Sequence, residues 1–188
     1  MASLESEQIF FTSGGTESDN WAIKGFALSD YDYRAVLTSQ IEHHAILNSC
    51  YAIERLRHPV AYLPVDSNGI VLADTLNRYI SDQTGLVSIM AANNEIGTIE
   101  PIKELAQIAH SHGALFHTDA VQAVGHIPID VKELGVDMLS ASAHKFNGPK
   151  GIGFLYCKEG TLHPFQNGGS QESGMRAGTE NVLFSLFL

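Results

Sequence analysis

The sequence of 188 residues is poor in basic residues and has no long apolar run. It contains 11 Lys and Arg against 21 Asp and Glu, a formal charge of −10 at neutral pH, which disfavours general binding to nucleic acid or to an anionic membrane. No apolar run approaches the ~20 residues that a membrane-spanning helix needs. Residues 1–8 are acidic and lack the order of a secretory leader. These absences predict a cytoplasmic protein.

Cysteine is also scarce, since Cys50 and Cys157 are the two in the sequence. Their spacing fits neither a zinc site nor a secreted disulfide scaffold, so we expect two buried structural thiols in a reducing compartment. Nine histidines are present, but their spacings do not bring three or four ligands together, and we expect no metal site. Four of them are expected at surface or turn positions, namely His58, His110, His112 and His163.

The apolar content of 44% and the moderate numbers of Gly (17) and Pro (6) are typical of a folded chain. Short apolar runs alternate with segments of helical spacing, the βαβ pattern of an α/β fold with a mainly parallel sheet. The predicted strands are 9–12, 35–38, 60–63, 86–90, 115–118, 138–141 and 153–156, the last two paired antiparallel because too few residues join them. The predicted helices are 14–28, 44–57, 72–80 and one that Pro101 starts and Gly113 stops.

Polar residues cluster where predicted strands end, which is where open parallel sheets bind ligands. Gly14, Gly15 and Thr16 join the first strand to the first helix, and the N–H groups of such a helix start suit a phosphate. The alternative is that Thr16 only caps the helix. The junction lacks the GxxxxGK[ST] pattern, which disfavours an NTPase.

Two further clusters follow later strands. Asp119 with Gln122 offers a carboxylate for the protonated nitrogen of a pyridine-type cofactor, although a helix cap is the alternative. Ser142, His144 and Lys145 share one glycine-rich turn, where a lysine amine can form a Schiff base with an aldehyde, if it is not simply a surface lysine. No G-x-S-x-G elbow accompanies the serine, which disfavours a hydrolase.

Six short motifs together resemble the cysteine desulfurases of the class V aminotransferase group, in order and in spacing. They are FTSGGTES at 11–18, EHHA at 42–45, NNEIG at 93–97, HTDAVQ at 117–122, SAHKFNGPKG at 142–151 and GMRAGTEN at 174–181. The resemblance covers nearly the whole chain. It implies a pyridoxal 5'-phosphate (PLP) enzyme of fold-type I, whose large domain is a three-layer αβα sandwich around a seven-stranded, mainly parallel sheet.

The resemblance also implies roles for single residues. Lys145 would carry the cofactor, and His43 would stack on its ring and act as acid and base in the sulfur chemistry. Asp119 would pair with the ring nitrogen, while His117 would pack behind it. The remaining cofactor contacts would come from Gln122 and Asn94 near the phenolic oxygen, from Gly15, Thr16, Ser142 and His144 at the phosphate, and from Thr179 at the phosphate of the neighbouring subunit in a homodimer.

The implied reaction removes sulfur from L-cysteine, giving L-alanine and an enzyme persulfide for iron–sulfur cluster assembly or another sulfur acceptor. In the family, the cysteine that accepts sulfur lies beyond the GTEN segment, and an opening segment precedes the first strand. We therefore expect residues 1–188 to be one PLP-binding large domain, truncated at both ends and lacking the nucleophilic cysteine loop. The alternatives are a selenocysteine lyase and a non-catalytic remnant that binds PLP.

Overall fold

The computed structural model describes residues 9–29, 32–158 and 160–186. Its strands are β1 (Ile9–Thr12), β2 (Ala35–Ser39), β3 (Val60–Leu63), β4 (Thr84–Ser88), β5 (Leu115–Asp119), β6 (Met138–Ser142) and β7 (Gly153–Cys157). They form one sheet in the order β1-β7-β6-β5-β4-β2-β3. β7 is antiparallel to β1 and to β6, and the other neighbouring pairs are parallel. The predicted sheet, with its antiparallel last pair, is confirmed.

Helices cover both faces of this sheet. They are α1 (Gly15–Ser29), α2 (His44–Glu54), α3 (Ala73–Tyr79), α4 (Ile102–Ser111), α5 (Val131–Leu134) and α6 (Val182–Ser185). Successive strand residues point to opposite faces, so Val36 and Leu86 pack with residues of α1 and α2, while Leu37 and Val87 pack with residues of α3 and α4. The result is the expected three-layer αβα sandwich.

Two elements differ from the predicted boundaries by more than one residue, and one short helix was not predicted. α2 ends at Glu54 rather than residue 57, and Arg57 has a left-handed backbone with φ +70°. β4 covers 84–88 rather than 86–90, because the Met90 N–H donates to Glu42 Oε1 at 3.0 Å instead of extending the strand. α5 was not predicted, since its four residues are too few for a periodic apolar pattern.

The histidine and cysteine expectations meet different outcomes. His58 directly follows the turn after α2, in line with the expected surface or turn position, but its side chain is buried to 5% exposure and its ring lies 4.9 Å from that of Tyr33. His110 and His163 are exposed, and His112 is half-buried. Cys50 and Cys157 are both free and buried, as predicted, and burial raises the pKa of each thiol to about 12.

Among the described residues, no helix combines the length and apolarity needed to cross a bilayer. Residues 1–8, on which the absence of a secretory leader was predicted, lie outside the described residues.

Candidate functional site

One cavity of about 490 Å³ opens where the loops after β1, β2, β4, β5 and β6 meet at one edge of the sheet. This is the edge at which open α/β sheets bind ligands. Except for Thr179, all the predicted cofactor-binding residues line it: Gly15, Thr16, His43, Asn94, Asp119, Gln122, Ser142, His144 and Lys145. The sheet thus brings together motifs that are far apart in the sequence.

The end of the cavity formed by Gly14, Gly15, Thr16, Ser142 and His144 is called the glycine end here. Gly14 has φ +148°, and its carbonyl accepts the N–H groups of Glu17 and Ser18 at 3.1 and 3.2 Å. The helix therefore begins at Gly15, and the alternative that Thr16 only caps it is wrong. The free N–H groups in the first turn of this 15-residue helix form an anion-binding surface.

Side chains from the end of β6 complete the glycine end. The Ser142 hydroxyl lies 2.9 Å from His144 Nδ1, and a Cβ on Gly14 would lie 3.5 Å from Ser142 Oγ. A Cβ on Gly153, in β7 between β1 and β6, would meet the Ala141 carbonyl oxygen and lie 2.7 Å from Gly14 Cα. The glycine at 153 thus allows the loop after β1 to lie close to the end of β6.

A second part of the cavity, called the aspartate end, contains Asp19, His43, Asp119 and Lys145. Asp119 is 4% exposed at the last position of β5, and its Oδ1 accepts the Val121 N–H at 2.9 Å. Residues 121–126 form turns, so the alternative that Asp119 caps a helix is wrong. Burial raises the pKa of Asp119, while the Val121 N–H and the charges of His43 and Lys145 oppose that rise.

Lys145 lies in a short 3₁₀ turn that follows β6, and its side chain is half-buried. Its backbone carbonyl lies 2.8 Å from His126 Nε2, a contact that fixes the turn against the loop after β5. Lys150 also lines the cavity. Two amines are therefore available, and Lys145 shares its end of the cavity with the buried carboxyl of Asp119.

His117 has different neighbours from those expected. It was predicted to pack behind Asp119, but its ring nitrogens lie 2.9 Å from Ser88 Oγ and 3.0 Å from Ser140 Oγ, on the two neighbouring strands. Burial lowers its pKa to about 3, so the ring is neutral. His117 is part of a buried polar chain that crosses the sheet.

Asp19 is a cavity residue that the sequence analysis missed. It is 1% exposed on α1 and lines the aspartate end. A signal existed, because Asp19 precedes the buried Ala22, Ile23 and Phe26 at spacings of three, four and seven, the positions of one helix face. Burial, reinforced by the Asp119 charge, raises its pKa well above the usual range. Asp19, His43 and Asp119 each place one ligand-type atom within 4.8 Å of the others, a grouping that the expectation of no metal site did not foresee.

Thr179 lines a separate surface depression of about 530 Å³. The loop that carries it is joined to the start of α1 by an ion pair, in which Arg176 donates to Glu17 Oε1 at 2.7 Å and to Oε2 at 3.0 Å. The GMRAGT motif is therefore fixed next to the glycine end without contributing Thr179 to the cavity of its own chain.

Comparison with known proteins gives matches along nearly all of the chain. The family model for aminotransferase class-V matches residues 2–185. A cysteine desulfurase IscS from Dictyoglomus turgidum is 59% identical over 95% of this chain and 46% of its own length. A cysteine desulfurase IscS from Methanosarcina thermophila is 57% identical over 95% of this chain and 45% of its own length. The chain thus spans about half the length of these relatives.

Solved structures also match the fold over nearly the whole chain. A NifS-like protein superposes with a TM-score of 0.93 at 43% identity, over 96% of this chain and 51% of its own. SspA in complex with cysteine superposes with a TM-score of 0.92 at 40% identity, over 95% of this chain and 52% of its own.

Proposed function

The chain belongs to the aminotransferase class-V family, and on that premise we propose that it acts as a pyridoxal phosphate-dependent cysteine desulfurase. The observation that carries the proposal is the pairing, in one cavity, of a buried carboxyl at Asp119 with the amine of Lys145. The names of the relatives support cysteine as the substrate, because two are cysteine desulfurases and one solved relative is a complex with cysteine.

The donor set of the cavity fits pyridoxal phosphate. At the glycine end, the start of α1 and the side chains of Thr16, Ser142 and His144 offer hydrogen-bond donors for a phosphate. At the aspartate end, Asp119 offers a buried acceptor for the ring nitrogen, and Lys145 offers the amine that holds the aldehyde. When bound, pyridoxal phosphate withdraws electrons from bonds at the substrate α carbon.

The protein groups then have separate tasks. Asp119 would keep a proton on the ring nitrogen of the bound cofactor, and the Lys145 amine would hold its aldehyde and move the substrate α proton. Asn94 and Gln122 would offer hydrogen-bonding groups to the phenolic oxygen of the ring. His43 is exposed at the mouth of the cavity, where its imidazole would cover the ring and transfer protons to and from the substrate sulfur.

The thiol that receives the sulfur is neither Cys50 nor Cys157. Neither lines the cavity, and with burial raising each pKa to about 12, neither is a thiolate at neutral pH. We infer that another thiol accepts the sulfur as a persulfide and passes it to an acceptor such as an iron–sulfur scaffold. The two reduced, buried thiols also support a reducing, cytoplasmic location.

Thr179 supports a homodimer as the working unit. It is exposed in a depression outside the cavity of its own chain, while the Arg176–Glu17 ion pair holds its loop in position. We propose that Thr179 reaches the phosphate of a second copy of the chain, so that each site is completed by its partner.

The first test is an absorption titration of the chain with pyridoxal phosphate, followed by borohydride reduction and peptide mass mapping. We expect a new absorption band that borohydride abolishes, with the added mass on Lys145. Lys145→Ala removes the band, whereas Lys150→Ala, which removes the other amine of the cavity, retains it. Labelling that persists in Lys145→Ala contradicts the assignment of the lysine.

The second test supplies L-cysteine with a small dithiol as the sulfur acceptor, and measures alanine and sulfide. The proposal predicts equal amounts of both products, dependent on Lys145 and on His43. A much higher rate with L-selenocysteine would instead identify a selenocysteine lyase. Cofactor labelling without any alanine would identify a chain that binds the cofactor but does not turn over cysteine by itself.

A further inference from the structure

Asp19 is a buried carboxyl for which the proposed reaction has no task. It lies in the first half of α1, is 1% exposed and lines the aspartate end of the cavity. Its Oδ1 has no hydrogen-bond partner among the described residues. A buried carboxylate oxygen without a partner is costly, so its position calls for an explanation.

Among the described residues, the buried titratable groups next to Asp19 give it no cation to pair with. His117 Nε2 lies 4.0 Å from Asp19 Oδ1, but burial keeps that ring neutral by lowering its pKa to about 3. Glu42 adds a third carboxyl nearby, and burial raises its pKa to about 8, so it is mainly protonated at neutral pH. His43 faces Asp19 from the exposed mouth of the cavity.

A second buried carboxyl, that of Asp119, also faces Asp19 from β5. One oxygen of Asp19 and one of Asp119 lie within 4.8 Å of each other, and both residues are at most 4% exposed. Two negative charges at that separation, away from water, repel each other strongly. One of the two must therefore keep its proton.

The surroundings decide which residue is protonated. Asp119 accepts the Val121 N–H and has electrostatic interactions with His43 and Lys145, all of which favour its ionised form. Asp19 is fully buried and has the Asp119 charge beside it, and these two effects, which favour its neutral form, outweigh the Ser140 hydroxyl, which favours the ionised form. The proton therefore belongs on Asp19.

We propose that Asp19 and Asp119 form a carboxyl pair that shares one proton, held on Asp19, and that Asp19 is a positioning residue that fixes the charge of the pair at one. A single negative charge matches a single protonated ring nitrogen. The proposal rests on the proposed function for the identity of the group that Asp119 faces, whereas the sharing of the proton is a property of the chain alone.

The test is a pH titration of the chain with ¹³C-labelled aspartate side chains, followed by NMR without cofactor. We expect the Asp19 carboxyl carbon to remain in the protonated form at neutral pH while Asp119 is ionised. In Asp119→Asn, Asp19 should bind its proton at least about tenfold more weakly, because the neighbouring charge is gone. In Asp19→Asn, the acid dissociation constant of Asp119 should change by less than about twofold, because the amide imitates the neutral acid. Asp66→Asn, in a distant turn, is the matched control and should change neither residue.

The proposal would be overturned if the two aspartates ionised independently, each at ordinary acidic pH. It would also be overturned if the ionisation of Asp19 were the same in Asp119→Asn as in the wild type. If a variant does not fold, the wild-type titration decides alone, since a protonated Asp19 at neutral pH is required. Pyridoxal phosphate labelling of Lys145 in Asp19→Asn separates the two hypotheses. We expect Asp19→Asn to be labelled to the wild-type level. If neither the wild-type chain nor Asp19→Asn were labelled, the proposed function would be refuted, and the NMR titration would still decide whether the two aspartates share a proton.

Discussion

The two ends of the cavity are built in different ways. At the glycine end, the positive φ of Gly14, the start of α1 and the Ser142–His144 contact each form within a short segment, although β7 brings the two segments together. At the aspartate end, Asp19 and Asp119 come from opposite halves of the chain, and burial sets their charge. Short motifs can therefore encode the local backbone geometry of the glycine end, whereas the protonation of a buried group depends on the complete fold.

The largest expected effect comes from Gly153→Ala, which breaks the glycine end. The new Cβ would meet backbone atoms of Ala141 and Gly14, which cannot move aside as a flexible side chain would. Overpacking of this kind should lower the free energy of unfolding by about 4 kcal/mol, measured by urea titration, and should abolish pyridoxal phosphate labelling by displacing Gly14.

Leu155→Ala is the matched control on the same strand. It deletes a fully buried side chain and should cost about 3 kcal/mol, but it leaves the Gly14 loop in place. Labelling should therefore survive in the folded Leu155→Ala chain. Equal labelling by both folded variants would mean that Gly153 does not set the spacing of the glycine end.

The features that could be predicted from the sequence are those of short segments, and those that could not be predicted depend on the complete fold. The sheet, most helices and the Gly14–Thr16 junction were predicted because apolar periodicity and glycine placement are local signals. Asp19 was missed because its helical spacing marks a buried face without saying that the face meets Asp119. The hydrogen-bond partners of His117 were not predicted because Ser88 and Ser140 become its neighbours only through the register of three strands.

An intermediate effect is expected from Glu42→Gln, which tests how burial sets protonation near the aspartate end. Glu42 is 5% exposed, and its Oε1 accepts the Ser39 hydroxyl at 2.6 Å and the Met90 N–H at 3.0 Å. Burial raises its pKa to about 8. A carboxyl whose pKa is raised on folding stabilises the fold while protonated, and this contribution is lost as the pH rises from the unfolded pKa through the folded one.

The wild-type chain should therefore lose about 3.5 kcal/mol more of its unfolding free energy than Glu42→Gln between about pH 5 and about pH 8. The glutamine retains an oxygen for both hydrogen bonds and cannot ionise, so its stability profile should be flatter. Glu104→Gln removes an exposed carboxyl of α4 as the control and should follow the wild-type profile. Parallel profiles for the wild type and Glu42→Gln would mean that Glu42 is ionised inside the fold.

The smallest expected effect is on ligand affinity, and comparing two ligands distinguishes the two ends of the cavity. We expect inorganic phosphate to bind at the glycine end alone and pyridoxal phosphate to need both ends. Ser142→Ala removes one hydroxyl donor and should weaken both ligands about tenfold, or ~1.4 kcal/mol. Asp119→Asn removes the charge that faces the ring and should weaken pyridoxal phosphate by a similar factor, with the competition by inorganic phosphate unchanged. Equilibrium titration with phosphate as the competitor measures both. If Asp119→Asn also weakened the binding of inorganic phosphate, the two ends would be coupled, because the charge of the carboxyl pair would then affect binding along the whole cavity.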